Sequence, residues 1–175
     1  MNVIFLDVDG ELTYSEYHNP ETDDIDIEKV KILKQIVDEN NAGVVISSSW
    51  RGTEKYTPRI YHTLIKVLTD NGIKVLGDCP HLKCEFVEPI ENNEITLNSV
   101  MKLHLVKGTG RAAEVESYIK IHDVDRFLIL DDEDFQWSDY GFDDKWIKPT
   151  WFGNGGLKPE HIKQAKEIFD KQKRL

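Results

Sequence analysis

Apolar residues recur along this chain in two rhythms. Residues 2–7 form a continuous run, Val3-Ile4-Phe5-Leu6 ending at Asp7, which predicts a strand buried on both faces. Ile27, Val30, Leu33, Ile36 and Val37 then follow helical spacing, with Asn40, Asn41 and Gly43 as the stop. Gly43-Val44-Val45-Ile46 predicts a second strand, running into Ser47-Ser48-Ser49-Trp50-Arg51. Ile60, Leu64, Ile65, Val67 and Leu68 mark the next helix, closed by Asp70-Asn71-Gly72, and Ile73-Lys74-Val75-Leu76 predicts a strand. From Gly110 onward come a helix through Val115, Tyr118 and Ile119, a strand Arg126–Leu130, and an edge strand at Trp146-Ile147-Lys148. A last helix has Pro159 in its first turn and Ile162, Ala165, Ile168 and Phe169 on its inward face.

The stretch 77–109 breaks the rhythm. Pro80, Pro89 and mixed charges predict a loop-rich insertion or small lid, with short strands at 85–87 and 95–97. Residues 1–175 otherwise read as one domain without internal repeats or low-complexity linkers. Strands separated by helices predict an α/β fold, an open and mostly parallel sheet flanked by helices. Such sheets bind ligands beyond the carboxyl ends of their strands.

Those ends carry the chemistry. The first displays Asp7-Val8-Asp9-Gly10, the second the serine run with Arg51, and the later one Asp131-Asp132-Glu133-Asp134. Residues i and i+2 of a strand face one side, so Asp7 and Asp9 start out together, and Gly10 then lets the chain turn sharply. Clustered carboxylates repel unless a cation compensates them. Hard oxygen ligands with room for water suit Mg²⁺, whereas hydroxyls, backbone N–H groups and a guanidinium suit a phosphate.

The combination resembles the haloacid dehalogenase-like (HAD) phosphohydrolases, whose strand-end motifs are D-x-D-G, a Ser or Thr, and paired acids, in that order. More narrowly, FLDVDG, SSSWR, GRAAEVESYI and FLILDDEDF resemble the HAD domain grouped with RNA-repair proteins. The resemblance implies a Rossmann-like fold with a small or absent cap and a Mg²⁺-dependent phosphatase. Asp7 would be the nucleophile and Asp9 the general acid and base. Asp7, Asp9 (through its carbonyl), Asp131 and Asp132 would hold the metal. Gly10, Ser47 or Ser48, Arg51, and either Lys107 or Arg111 as the third-motif cation would bind the phosphoryl group. The spacing of the first two motifs leaves room only for a flap at 14–24, not a full cap, so the site is expected to be open to a phosphate on a macromolecule; the family resemblance then implies an RNA or DNA end first, with nucleotides or phosphoproteins behind.

One position departs from the pattern. After DxDG the family commonly has Thr, Val or Ala; here it is Glu11. Another negative charge should weaken phosphate binding unless it turns away or pairs with Arg51 or a lysine. It keeps a second reading in play, a catalytically weak Mg²⁺/phosphate-binding module that recognises phosphorylated ends or a partner protein. Trp50 is read as a packing residue.

Composition narrows the partners. Lys and Arg total 22 against 32 Asp and Glu, a net charge of −10. That disfavours an extended nucleic-acid track or an anionic membrane, leaving a local rim of Arg51, Lys55, Arg59, Lys107 and Arg111. No apolar run approaches the ~18 residues of a membrane span, and Asp7 and Asp9 interrupt any signal-like start, so a cytoplasmic protein is expected. Cys79 and Cys84 are read as reduced structural thiols rather than a zinc site, which would want four ligands.

Overall fold

Three apolar runs make the centre of the sheet. In the computed structural model, which describes residues 1–52, 58–83, 86–87 and 104–172, β1 (Asn2–Leu6), β2 (Ala42–Ile46) and β6 (Arg126–Leu130) lie side by side and parallel. β3 (Val75–Asp78) extends the sheet beyond β2 and β7 (Trp146–Ile147) beyond β6, giving a five-stranded order β3-β2-β1-β6-β7, parallel throughout. Because β1 is central, both its faces are covered: Ile4 and Leu6 point into one core cluster, Val3 and Phe5 into the other. A continuous apolar run is what such a strand requires.

Four described helices cover the two faces: α1 (Ile27–Asn40), α2 (Pro58–Asp70), α3 (Gly110–Ile121) and α4 (Pro159–Lys171). α1 begins where the Asp26 carboxylate accepts from the Glu28 N–H, and it ends at Asn41 in the left-handed conformation, φ 46°. Its Val30, Leu33, Ile36 and Val37 join Leu64 and Leu68 of α2 and Ala165 and Phe169 of α4 on one face. On the other face α3 packs Ala112, Val115 and Tyr118 against Phe5 and Phe127. The Phe5 ring meets Tyr118 and Phe127 edge-on at 5.5 and 5.9 Å. Truncating a fully enclosed ring of this kind to Ala costs about 3–5 kcal/mol.

Two boundaries differ from the sequence expectation. β3 begins two residues later than Ile73, because Ile73 closes the turn at Gly72 (φ 72°) and its N–H returns to the Leu68 carbonyl. Near 104, His104–Leu105 forms a strand, β5, that the pattern did not announce; it pairs antiparallel with β4 (Phe86–Val87). The expected strand at 95–97, Lys55 and Cys84 lie outside the described residues. Among the described residues, no helix is long and apolar enough to cross a membrane.

Candidate active site at the strand ends

The register of the sheet creates the site. Leu6 is paired with both Ile46 and Leu130, so the next residues, Asp7, Ser47 and Asp131, emerge level with one another. The ladder continues one step further, with the Asp7 N–H on the Leu130 carbonyl and the Ser47 N–H on the Leu6 carbonyl, each at 2.9 Å. After Asp9 the chain turns at Gly10, φ 92°. A Cβ there would lie 2.4 Å from Asp132 Cγ, so glycine is what admits the Asp132 side chain.

Asp7, Asp131 and Asp132 can each offer an oxygen to one point, with these atoms all within 4.8 Å of one another. Arg111, one residue into α3, donates from Nη1 to Asp7 (2.9 Å) and to Asp131 (2.7 Å), with its guanidinium over the Phe135 ring. Asp7 Oδ1, and Ser47 Oγ at the neighbouring strand end, are buried without a hydrogen-bond partner among the described residues. The electrostatics agree with an uncompensated centre. Burial, and after the opposing pull of Arg111 the charge of Asp7, pushes the Asp131 carboxyl up. Burial, Asp7, Glu133 and Asp9 together push Asp132 up to about 6. The Arg111 guanidinium is held charged: burial opposes this, but Asp7 and Asp131 outweigh it. Three convergent carboxylates with an orphaned buried oxygen are a donor set that fits a hard divalent cation.

Asp9 is held on both oxygens. Thr13 Oγ1 donates to Oδ1 at 2.8 Å, and the Trp50 indole N–H donates to Oδ2 at 2.9 Å. Burial raises the Asp9 carboxyl despite these two donors, with Asp7 adding to the rise.

The family model for the HAD domain in Swiss Army Knife RNA repair proteins matches residues 3–162. The chain belongs to this family. The five-stranded parallel sheet flanked by helices is the Rossmann-like HAD architecture. No curated protein and no solved structure matches the chain.

Within this HAD domain, several residues sit differently from the sequence expectation. Arg51 does not reach the carboxylate centre. Its side chain is 6% exposed, ion-paired with Glu114 of α3, and donates to the carbonyls of Ser47 and Ser48. The 3₁₀ turn Ser49–Gly52 folds it back under the strand end, where the buried Glu114 waits. Of the two candidate third-motif cations, Arg111 lies on the cluster, whereas Lys107 is exposed in the turn before α3. Ser48 is buried with its Oγ accepting from the Trp50 N–H. Arg59, expected on a basic rim, is ion-paired with Asp23 of the flap at 2.6 Å.

Among the described residues Glu11 pairs with neither Arg51 nor a lysine. It is fully buried, and among the described residues neither carboxylate oxygen has a partner. Burial, then Asp7, Asp131 and Asp132, raises its carboxyl strongly. Trp50 packs against the core, as its sequence reading expects, and its indole N–H also reaches the Asp9 carboxylate. Its indole donor lies next to the serine run, but its acceptor is 41 residues away, and no local pattern reveals it.

Proposed function

We propose that this HAD domain is a Mg²⁺-dependent phosphomonoesterase that works through an aspartyl-phosphate. The observation that carries the reading is the meeting of Asp7, Asp131 and Asp132 with Asp7 Oδ1 left unpartnered beside Asp9. Asp7, Asp131 and Asp132 would hold the cation, with the Asp9 carbonyl as the further ligand the family resemblance implies; when bound, it offsets negative charge on the phosphoryl oxygens and on Asp7.

The chain's own residues do the rest. The free Asp7 oxygen attacks phosphorus, forming a P–O bond as the bond to the leaving oxygen breaks. Asp9 gives its proton to that leaving oxygen, and its raised affinity for a proton suits this role. In the second half, water attacks phosphorus, Asp9 takes its proton, and the bond to Asp7 breaks to release inorganic phosphate. Ser47 Oγ, buried and unpartnered among the described residues, would hold a phosphoryl oxygen, and Arg111 would add positive charge.

A phosphorylated RNA end is the substrate class this reading favours. Its support is the matched family of RNA repair proteins, together with a turn-rich flap rather than a full cap domain between Thr13 and α1. The test is phosphate release from an aryl phosphate and from a short end-phosphorylated oligoribonucleotide, with Mg²⁺ or with chelator. Wild-type turnover should need Mg²⁺ and fall to background in Asp7→Asn. Turnover in Asp7→Asn comparable to wild type would rule out the covalent route.

A further inference from the structure

Asp9 sits in a turn that closes on itself just beyond β1. The Val8 carbonyl accepts from the Leu12 and Thr13 N–H groups at 2.9 and 3.1 Å, and the Gly10 N–H donates to the Thr13 carbonyl at 3.0 Å. These bonds fold Thr13, only 2% exposed, back beside Asp9. Its hydroxyl donates to Asp9 Oδ1 at 2.8 Å and lies 3.4 Å from the Val8 carbonyl, a second acceptor. From the turn after β2 the Trp50 indole N–H reaches the other oxygen, Asp9 Oδ2, at 2.9 Å.

The two donors are not equivalent. An indole N–H can only donate, so it is best served by an oxygen that stays unprotonated. A hydroxyl rotates and can donate or accept, and Thr13 has the Val8 carbonyl to turn to. A proton on Oδ2 would weaken the bond from Trp50, whereas a proton on Oδ1 asks only for rotation of the Thr13 hydroxyl. The turn itself is already closed by its backbone bonds, so the hydroxyl is not needed to form it.

We propose that Thr13 is a positioning residue for proton transfer: with Trp50 reserving Oδ2, it holds Oδ1 as the oxygen of Asp9 that exchanges the proton. In the first half-reaction the proton passes from Oδ1 to the leaving oxygen as that oxygen's bond to phosphorus breaks and the bond from Asp7 forms. The Thr13 hydroxyl then swings from the Val8 carbonyl back to Oδ1 and steadies the carboxylate left behind. The inference rests on the aspartyl-phosphate reading above and adds to it which oxygen acts and what holds it.

Comparing phenyl phosphate with dinitrophenyl phosphate tests it, because a departing phenolate needs a proton and a dinitrophenolate does not. The quantity to read is kcat/KM, which covers only the steps up to transfer of the phosphoryl group to Asp7. Thr13→Val keeps the shape and removes the hydroxyl; it should lose about tenfold on phenyl phosphate and less than about twofold on dinitrophenyl phosphate. Thr13→Ser should restore most of the loss, and Thr13→Ala replaces Thr13→Val if that variant does not fold. Asp9→Asn should show the same dependence on the leaving group, more steeply. An equal loss on both substrates in the Thr13 variants, or no loss on either, would overturn the proposal; with Asp9→Asn still dependent on the leaving group, acid catalysis by Asp9 would stand without Thr13. Asp9→Asn losing equally on both substrates would overturn acid catalysis by Asp9 and Thr13's part in it together.

Discussion

Arg51 and Glu114 form an ion pair that is nearly closed to solvent, with side chains 6% and 4% exposed. The pair joins three segments around the site. Arg51 holds the carbonyls of Ser47 and Ser48, Glu114 belongs to the same helix face region as Arg111 three residues earlier, and the second Glu114 oxygen accepts from the Leu82 N–H at 2.9 Å. The serine loop is thereby fixed relative to the arginine that touches Asp7 and Asp131.

Breaking one side of this pair should be costly. Glu114→Ala strands a buried guanidinium, and the expected loss is about 3–5 kcal/mol of folding stability. The double variant Arg51→Met/Glu114→Leu should recover much of that loss, since well-packed apolar groups can replace a buried pair. Urea melts of the two singles and the double give the coupling directly. Singles that lose less than ~1 kcal/mol would mean that the pair is not closed off in solution.

Removing Trp50's donor should affect turnover more than binding. The indole N–H holds Asp9 Oδ2, and Trp50→Phe keeps an aromatic ring while losing that bond. General acid–base catalysis is worth roughly 10²–10⁴-fold, and a misdirected Asp9 should forfeit part of it, about tenfold in kcat. KM should change little. A rise in KM at unchanged kcat would assign Trp50 to the substrate instead.

The reach of sequence reasoning divides along a physical line. β1, β2 and β6 are legible because central strands bury both faces and so become unbroken apolar runs. Asp7, Asp131 and Asp132 are legible as a group because strand register alone brings their positions together. Side-chain direction is another matter. Arg51 and Glu11 look available from their local sequence and Trp50 looks like packing alone, yet α3 claims the Arg51 side chain, the Trp50 indole N–H also reaches the first strand end, and Glu11 is fully enclosed. β3 shifts because its register follows from the Gly72 turn and the irregular pairing with β2, not from its own hydrophobic content.

The pH dependence of metal-free stability follows from the raised Asp132. Its folded value of about 6 lies above the ~3.9 of an unfolded aspartate, so the folded chain binds this proton more tightly. The group's stabilisation is therefore present below about pH 4 and is lost as pH rises through about 6. Asn mimics the neutral acid, so Asp132→Asn should be more stable than wild type at pH 8 in chelator, with the difference closing towards pH 4. Saturating Mg²⁺ should reverse the order at pH 8, because the variant lacks a carboxylate for the cation. Melting curves at pH 4, 6 and 8, with chelator and with Mg²⁺, provide the check.

Substrate length and salt provide the last test, and the positions of the basic residues sharpen it. The protein carries a net charge of −10, so a long polynucleotide gains no general attraction. Arg51 is enclosed and paired, Arg59 is engaged by Asp23, and Arg111 is committed to the carboxylate centre. Lys107 remains exposed in the turn leading to α3. Recognition of an RNA end should then rest on the terminal phosphate and at most one or two neighbouring nucleotides. Each phosphate neutralised on a single strand contributes about −0.7 to the slope of log affinity against log salt, so the expected slope is on the order of −1. A short end-phosphorylated oligoribonucleotide should be hydrolysed about as well as a long one, and better than a mononucleotide. Measuring kcat/KM for the three lengths over a salt series separates the outcomes. A steep slope with strong preference for the long strand would require a basic track contributed from beyond the described residues. Equal or faster turnover of the mononucleotide would keep the phosphatase chemistry and exclude recognition of an RNA end.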